Sequence, residues 1–347
     1  MVRLLVVDDC SIFRHLIRSF AEMKGDITVV GEAVNGLDAI DMVNQLSPDI
    51  LTMDIEMPIM GGMEAIEHIM AKHPLPILVV TSRDDSETAY QAISKGALEV
   101  LPKSSISSNT YSSFADKLKL LSQVKVISHI RSKKKSLDSS SLNACQAVNK
   151  AVEIIGIASS TGGPKALAQL LSELPKTFPA PIVIAQHLSD GFMAGLVKWL
   201  DRVSQLTVKQ GEHGETLKPG YVYLSATEQH MVVTKAKKID YNDRLSGDIY
   251  LPSCDQLLQS MAYVYRSRCI GMILTGMGHD GLKGARMIKE QGGFTIAQDE
   301  QSSVVFGMPH VVINAGAADK ILALDEMSGF LLHIFGSQKV GHFRYYH

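Results

Sequence analysis

Two sets of side chains in this sequence have the types and spacing that chemistry requires. The first is Asp8, Asp9, Asp54, Thr81 and Lys103. Two or three carboxylates with room for water suit Mg²⁺, a hard cation that keeps part of its hydration shell. A lysine ammonium and a hydroxyl beside them suit a phosphoryl group. With the metal reducing repulsion between the acids and an incoming phosphate, Asp54 could attack phosphorus and become an acyl phosphate. The second set is Ser160, His187 and Asp280. Serine as nucleophile, imidazole as base and a carboxylate that fixes the imidazole tautomer form the triad of acyl transfer at neutral pH.

Both sets fall where parallel sheets gather their working groups. Short apolar runs at Leu4 to Val7, Ile27 to Val30, Ile50 to Met53, Ile77 to Val80 and Leu98 to Leu101 alternate with helix-period segments. Those segments are Ser11 to Met23, Gly36 to Leu46, Gly62 to Lys72, Ser86 to Lys95 and Ser107 to Leu121. The alternation predicts a doubly wound α/β domain with a parallel sheet, whose ligands bind at the carboxyl ends of the strands. Asp8 and Asp9 end the first run, Asp54 the third, Thr81 the fourth, and Lys103 lies just past the fifth. A single acid at a strand end ordinarily does no more than solvate a loop. This set converging on one sheet edge reads as a site.

The second half repeats the logic. Val152 to Ala158 is an apolar run that enters Ser159-Ser160-Thr161-Gly162-Gly163-Pro164-Lys165 and turns helical from Ala166 to Leu174. Amides at such a strand–turn–helix junction can hold an anion or an oxyanion. The turn is neither the Gly-x-Ser-x-Gly elbow nor a Walker loop. Ile182 to Ala185 leads to Gln186-His187, and Cys269 to Leu274 leads to Thr275-Gly276-Met277-Gly278-His279-Asp280-Gly281. If these strands are neighbours, Ser160, His187 and Asp280 meet, with amides near Thr161 and Met277 as oxyanion candidates. A rival reading exists, since Gly276-x-Gly278-x-x-Gly281 with Asp299 downstream satisfies a dinucleotide-binding fingerprint. Against it, Asp280 would repel a pyrophosphate, and the motif does not occupy the first βα turn of its domain.

The 347 residues predict about two domains, and 34 basic against 36 acidic residues give a net charge of −2. No global basic excess supports wholesale nucleic-acid binding, and the second half lacks a helix-turn-helix with a basic recognition helix. The apolar opening before Asp8 is too short for a signal peptide or a membrane span, which predicts a cytoplasmic protein without membrane insertion. Cys10, Cys145, Cys254 and Cys269 show no metal or redox spacing and read as free thiols. The basic and serine-rich stretch around Arg131-Ser132-Lys133-Lys134-Lys135-Ser136 reads as a linker. The expected organisation is a domain over 1–121, a linker over 122–150, a catalytic domain over 151–336 and a disordered tail over 337–347.

Val6-Val7-Asp8-Asp9, Met53-Asp54-Ile55-Glu56-Met57-Pro58, Val80-Thr81-Ser82 and Lys103 resemble a response-regulator receiver domain. The resemblance implies a flavodoxin-like strand order 2-1-3-4-5 and Asp54 as phosphoacceptor. It also implies Mg²⁺ held by Asp8, Asp9 and Asp54, Thr81 as the hydroxyl that follows the phosphoryl group, and Lys103 as its counter-ion. Ile155 to Pro164, Gln186 to Phe192, Leu274 to Gly281 and Phe294 to Pro309 resemble the chemotaxis protein-glutamate methylesterase domain, over about Val152 to Leu332. That resemblance implies a Rossmann-like three-layer domain that hydrolyses glutamyl γ-methyl esters and deamidates glutamines through Ser160, His187 and Asp280, without a catalytic metal. The implied partners are methyl-accepting chemoreceptors as substrate and a chemotaxis histidine kinase as phosphodonor. Departures from the family patterns are Ser104 after Lys103 in place of proline, Val100 near an aromatic switch position, Ser189-Asp190 in place of Pro-Pro, and His279 in place of Asn. The alternative is a binding module that docks on receptors without catalysis.

Overall fold

Strands buried on both faces read as nearly continuous apolar runs, and the runs Leu4 to Val7 and Ile50 to Met53, which end at acidic residues, are interrupted only at Thr52. In a computed structural model, residues 1–82, 86–107, 110–124, 126, 152–188 and 191–341 are described, the side chains of 86–89 and 337–341 excepted. The chain divides into two compact units, Met1–Ser132 and Lys133–His347. Most of the expected linker, and Ser189-Asp190, lie outside the described residues.

The first unit contains β1 (Val2–Val7), α1 (Ser11–Glu22), β2 (Ile27–Ala33), α2 (Gly36–Leu46), β3 (Ile50–Met53), α3 (Gly62–Lys72), β4 (Ile77–Thr81), α4 (Ser86–Lys95), β5 (Glu99–Pro102) and α5 (Tyr111–Ser122). Its sheet runs β2-β1-β3-β4-β5, parallel throughout. Leu4, Leu5, Ile50, Leu51, Ile77 and Leu78 are fully buried at its centre. Asn35 caps α2 by accepting from the Asp38 N–H at 2.9 Å, as a short polar residue does at a helix start. α5 starts at Tyr111 and not at the expected Ser107. Lys103–Ser105 form a 3₁₀ turn, and the Thr110 hydroxyl, just before α5, donates to Ser105 O at 2.6 Å and accepts from Ser107 N–H at 2.9 Å, so that Ser107 is tied to a local turn. The Lys103–Ser104 peptide is trans.

The second unit contains β6 (Ile154–Ser159), α6 (Gly163–Ser172), β7 (Ile182–Gln186), α7 (Met193–Val203), β8 (Thr207–Gln210), β9 (Tyr221–Leu224), β10 (Gln229–Val233), β11 (Ile239–Asp243) and α8 (Cys254–Tyr265). These are followed by β12 (Cys269–Ile273), α9 (Leu282–Glu290), β13 (Phe294–Gln298), α10 (Met308–Asn314), β14 (Lys320–Leu322) and α11 (Leu324–Gly341). The parallel sheet runs β14-β13-β12-β6-β7-β9-β8, and β10-β11 form a separate antiparallel hairpin. Both units are thus α/β folds with parallel sheets. α11 continues to Gly341, into the stretch expected as a tail. Among the described residues, no helix is long and apolar enough to cross a membrane.

α8 packs under the centre of the second sheet. Leu258, fully buried, lies against the backbone of α9 at Gly284, where an added Cβ would come within 2.4 Å of Leu258 Cβ. That close approach sets where the first turn of α8 sits, and the next section shows that this turn holds part of the site. Leu258→Ala should cost about 2–5 kcal/mol, the usual range for emptying such a position. Trp199, the single tryptophan, is buried in α7, so its fluorescence during urea unfolding follows the second unit alone. A drop in midpoint with an unchanged slope is the expected outcome, and an unchanged midpoint would show that the contact is dispensable.

Candidate active site

Because β12, β6 and β7 are adjacent in the sheet, the segments that follow them emerge side by side. Ser160 is the first residue past β6, His187 the first past β7, and Asp280 lies in the loop after β12. The loops are stitched by backbone bonds: His187 N–H to Ser159 O at 3.0 Å and Ser160 N–H to Thr275 O at 3.1 Å. Gln186, buried at the end of β7, donates from Nε2 to Ser160 O at 2.8 Å and to His187 O at 2.9 Å. Its Oε1 accepts the Ser159 hydroxyl at 2.6 Å. The Ser159 hydroxyl is therefore spent on structure, which separates it from its neighbour Ser160.

His187 Nε2 lies 2.8 Å from Asp280 Oδ2. An ionised carboxylate only accepts, so Nε2 carries the proton and Nδ1 keeps its lone pair. Among the described residues no hydrogen bond links Ser160 Oγ to His187. Without substrate such contacts are commonly loose. The N–H groups of Thr161 and Met277 have no acceptor among the described residues. Thr161 is buried and its carbonyl accepts the Thr275 hydroxyl at 2.9 Å, whereas the Met277 side chain is exposed. Gly276 makes this proximity possible, since a Cβ there would come within 2.7 Å of Ser160 Cβ.

Asp280 is 2% exposed, and its carboxylate sits on the N-terminus of α8. Oδ2 accepts the Cys254 N–H at 2.6 Å, and Oδ1 accepts the Asp255 N–H at 2.9 Å and the Ser253 hydroxyl at 3.3 Å. Burial alone would raise its pKa, but the bond and charge of His187 and these amides outweigh that and hold the carboxyl below its ordinary value. Asp255 returns the arrangement, accepting from Gly281 N–H at 3.0 Å and Gly284 N–H at 2.8 Å where α9 begins. Burial, with Asp280 close by, leaves Asp255 above the usual carboxylate range.

Sequence reasoning missed every contribution from α8 and the connection before it. Cys254 Sγ lies 3.5 Å from His187 Nε2, and burial pushes its thiol well up, so it stays protonated. Tyr250 stacks on the His187 ring. The available signal was Ser253 followed by Asp255, a serine cap with an acid in the first turn. Cys10, Cys254 and Cys269 are free thiols as expected, and Cys145 lies outside the described residues.

In the first unit Lys103 Nζ is 2.6 Å from Asp54 Oδ2 and 2.8 Å from Asp8 Oδ2. Burial raises the Asp54 pKa; Lys103 opposes this and Asp8 adds to it, leaving the carboxyl above its ordinary value. Asp8, Asp9 and Asp54 each present an oxygen, all within 4.8 Å of one another. An all-oxygen donor set of this size fits a hard divalent cation. Thr81 Oγ1 is buried with no hydrogen-bond partner among the described residues, a polar atom suited to an incoming phosphoryl oxygen. The structure thus brings Asp8, Asp9, Asp54, Thr81 and Lys103 to one edge of the sheet.

Comparison with known proteins addresses both units. The CheB methylesterase family model matches residues 155–331, and the response regulator receiver domain model matches residues 4–111. Protein-glutamate methylesterase/protein-glutamine glutaminase 3 of Paramagnetospirillum magneticum is 42% identical over 97% of this chain and 97% of its own. The protein-glutamate methylesterase/protein-glutamine glutaminase of Thermotoga maritima is 38% identical over 93% of this chain and 95% of its own. The crystal structure of the Thermotoga maritima CheB methylesterase catalytic domain superposes with a TM-score of 0.51 at 42% identity, covering 53% of this chain and all of that one. A family match over half of the chain, relatives alike along nearly its whole length, and a sheet edge that unites serine, histidine and aspartate lead to one statement: this chain belongs to the CheB methylesterase family and carries a response-regulator receiver domain ahead of its methylesterase domain.

Proposed function

We propose that this protein hydrolyses glutamyl γ-methyl esters, and deamidates glutamines, on methyl-accepting chemoreceptors in chemotactic adaptation, under control of phosphorylation at Asp54. The observation that carries the reading is the His187–Asp280 pair set beside Ser160 on one sheet edge. Ser160 Oγ attacks the side-chain carbonyl carbon while His187 Nδ1 takes its proton, and Asp280 stabilises the imidazolium so formed. The N–H groups of Thr161 and Met277, which have no acceptor among the described residues, receive the developing oxyanion. The bond between the acyl carbon and the methoxy oxygen breaks, His187 Nδ1 gives its proton to that oxygen, and methanol leaves. Water, deprotonated by His187, then attacks the acyl-serine, releasing glutamate and restoring Ser160. With glutamine the same steps release ammonia.

In the receiver, Asp54 accepts a phosphoryl group from a chemotaxis histidine kinase. Asp8, Asp9 and Asp54 would hold Mg²⁺, whose charge would offset repulsion between the acidic cluster and the phosphate. Lys103 then pairs with the phosphoryl group, and the Thr81 hydroxyl, without a partner among the described residues, bonds to it as well. A cytoplasmic location agrees with a kinase and receptor helices as partners.

Methanol release from methylated receptor membranes tests the first half. Ser160→Ala should lower it at least about a thousandfold, since removal of any triad member leaves only binding and oxyanion stabilisation. Retained release would move the assignment to another nucleophile, and receptor binding without release from the unaltered chain would favour a docking module. A small phosphodonor with Mg²⁺ tests the second half. Release by the unaltered chain should rise about five- to 150-fold, the usual span of allosteric coupling. Asp54→Asn, or chelation of the metal, should abolish the rise and leave the basal rate. A rise that persists in Asp54→Asn would place the control elsewhere.

A further inference from the structure

Triad chemistry accounts for both nitrogens of His187 but not for what covers its face. The ring of Tyr250 lies parallel to the imidazole, with an interplanar angle of 6° and a centroid separation of 5.0 Å. Tyr250 belongs to the connection between β11 and α8, whose Leu245 and Ile249 are 68% and 81% exposed. Apolar burial therefore does not hold these parts of the connection, and a polar device does. His230 on β10 is fully buried, and its Nδ1 accepts the Ser253 N–H at 2.9 Å. Its Nε2 must then carry the proton, which it donates to Asp248 Oδ2 at 2.9 Å. The same oxygen accepts the Leu245 N–H at 2.8 Å, closing the turn that precedes Tyr250. One buried imidazole thus fastens the chain two residues before Tyr250 and three residues after it. On the far side the phenol reaches over Gly278, where a Cβ would come within 2.4 Å of Tyr250 Oη.

We propose that Tyr250 is a positioning residue for His187, held over the imidazole by the buried His230–Asp248 pair; the proposal rests on His187 being the base assigned above. An imidazole tied at one nitrogen can still swing about that bond. Stacking fixes the ring plane, and with it the direction of the Nδ1 lone pair, and it keeps water from one face. A stacked aromatic pair of this kind corresponds to a factor of about two to ten in rate.

The test uses the full chain and two readouts, methanol release and the nuclear magnetic resonance shifts of the His187 ring protons, which the Tyr250 ring current displaces. Tyr250→Leu should lower kcat about two- to tenfold with KM nearly unchanged, and Tyr250→Phe should recover most of the loss. Asp248→Ala should give a similar loss, and the double variant with Tyr250→Leu should be no slower than Tyr250→Leu alone. Asp248→Asn, which keeps an acceptor for His230 Nε2, should rescue. The His187 ring shift should move alike in Tyr250→Leu and Asp248→Ala and stay in place in Tyr250→Phe. An unmoved kcat in Tyr250→Leu, or a raised KM at constant kcat, would overturn the proposal, the latter by making Tyr250 a substrate contact. Additive losses in the double variant, or a ring shift that survives Asp248→Ala, would remove His230–Asp248 from it. If the unaltered chain releases no methanol, the esterase reading fails, while the ring shifts still decide whether the clasp sets the stack.

Discussion

A carboxylate taken out of water must find donors for its lone pairs or take up a proton. Asp280 finds its donors in His187, in the amides of Cys254 and Asp255, and in the Ser253 hydroxyl, and much of the second unit is arranged around that requirement. The amides come from the first turn of α8, where N–H groups have no intrahelical partner and the helix dipole favours negative charge. Asp255, in that same turn, returns the favour to the start of α9. Asp280 thus satisfies orphan donors at the start of α8, which carries Asp255, and Asp255 those at the start of α9, which follows Asp280, so the loop after β12 is bound to α8 from both directions. The His187 tautomer follows from this anchorage, since an Asp280 that stays ionised leaves Nε2 no role but donor.

The two units use one topological device for opposite electrostatic ends. In both, parallel strands deliver polar residues to a single edge because each βα crossover must leave the sheet there. At the receiver edge Asp54 is desolvated beside Asp8 and has Lys103 as its close counter-charge, so its carboxyl lies above its ordinary pKa. Such unbalanced charge is what the proposed phosphoryl site at Asp54 calls for. Asp280 is also buried, yet its donors outnumber what burial costs and its carboxyl lies below its ordinary pKa. Burial thus has opposite outcomes at Asp54 and Asp280.

That contrast explains what was legible in the sequence. Strand ends were readable because continuous apolar runs stop abruptly at Asp8, Asp54, Thr81 and Ser159, and the adjacency of β12, β6 and β7 then followed from packing Ser160, His187 and Asp280 on one edge. Four helix and strand spans, Gly36–Leu46, Ile50–Met53, Gly62–Lys72 and Ser86–Lys95, coincide with their apolar periodicity. The donors to Asp280 were not readable. Their work is done by backbone amides, which carry no residue type, from a helix reached only through the β10-β11 hairpin, an element whose short mixed strands announce no site. Gln186 hid for a related reason: a buried amide next to a candidate base reads as part of a strand until its two carbonyl partners, Ser160 and His187, are seen together.

The glycines after β12 carry the sharpest ambiguity, and physical occupancy resolves it. Gly276-x-Gly278-x-x-Gly281 has the spacing by which a dinucleotide fold brings a pyrophosphate onto a helix N-terminus. Such a site needs its amides free to receive the anion and its glycines open to the ligand. Here the Gly281 and Gly284 amides already donate to Asp255, an anion supplied by the chain itself. The space over Gly276 is taken by Ser160 and Met308, and the space over Gly278 by the Tyr250 phenol. Asp280, within the motif, would stand beside any phosphate as a second negative charge. The same small residues that admit a cofactor elsewhere are used here to bring a serine and a tyrosine close to the backbone of the loop that holds Asp280, so the motif reports close approach, and the neighbouring carboxylates decide what approaches.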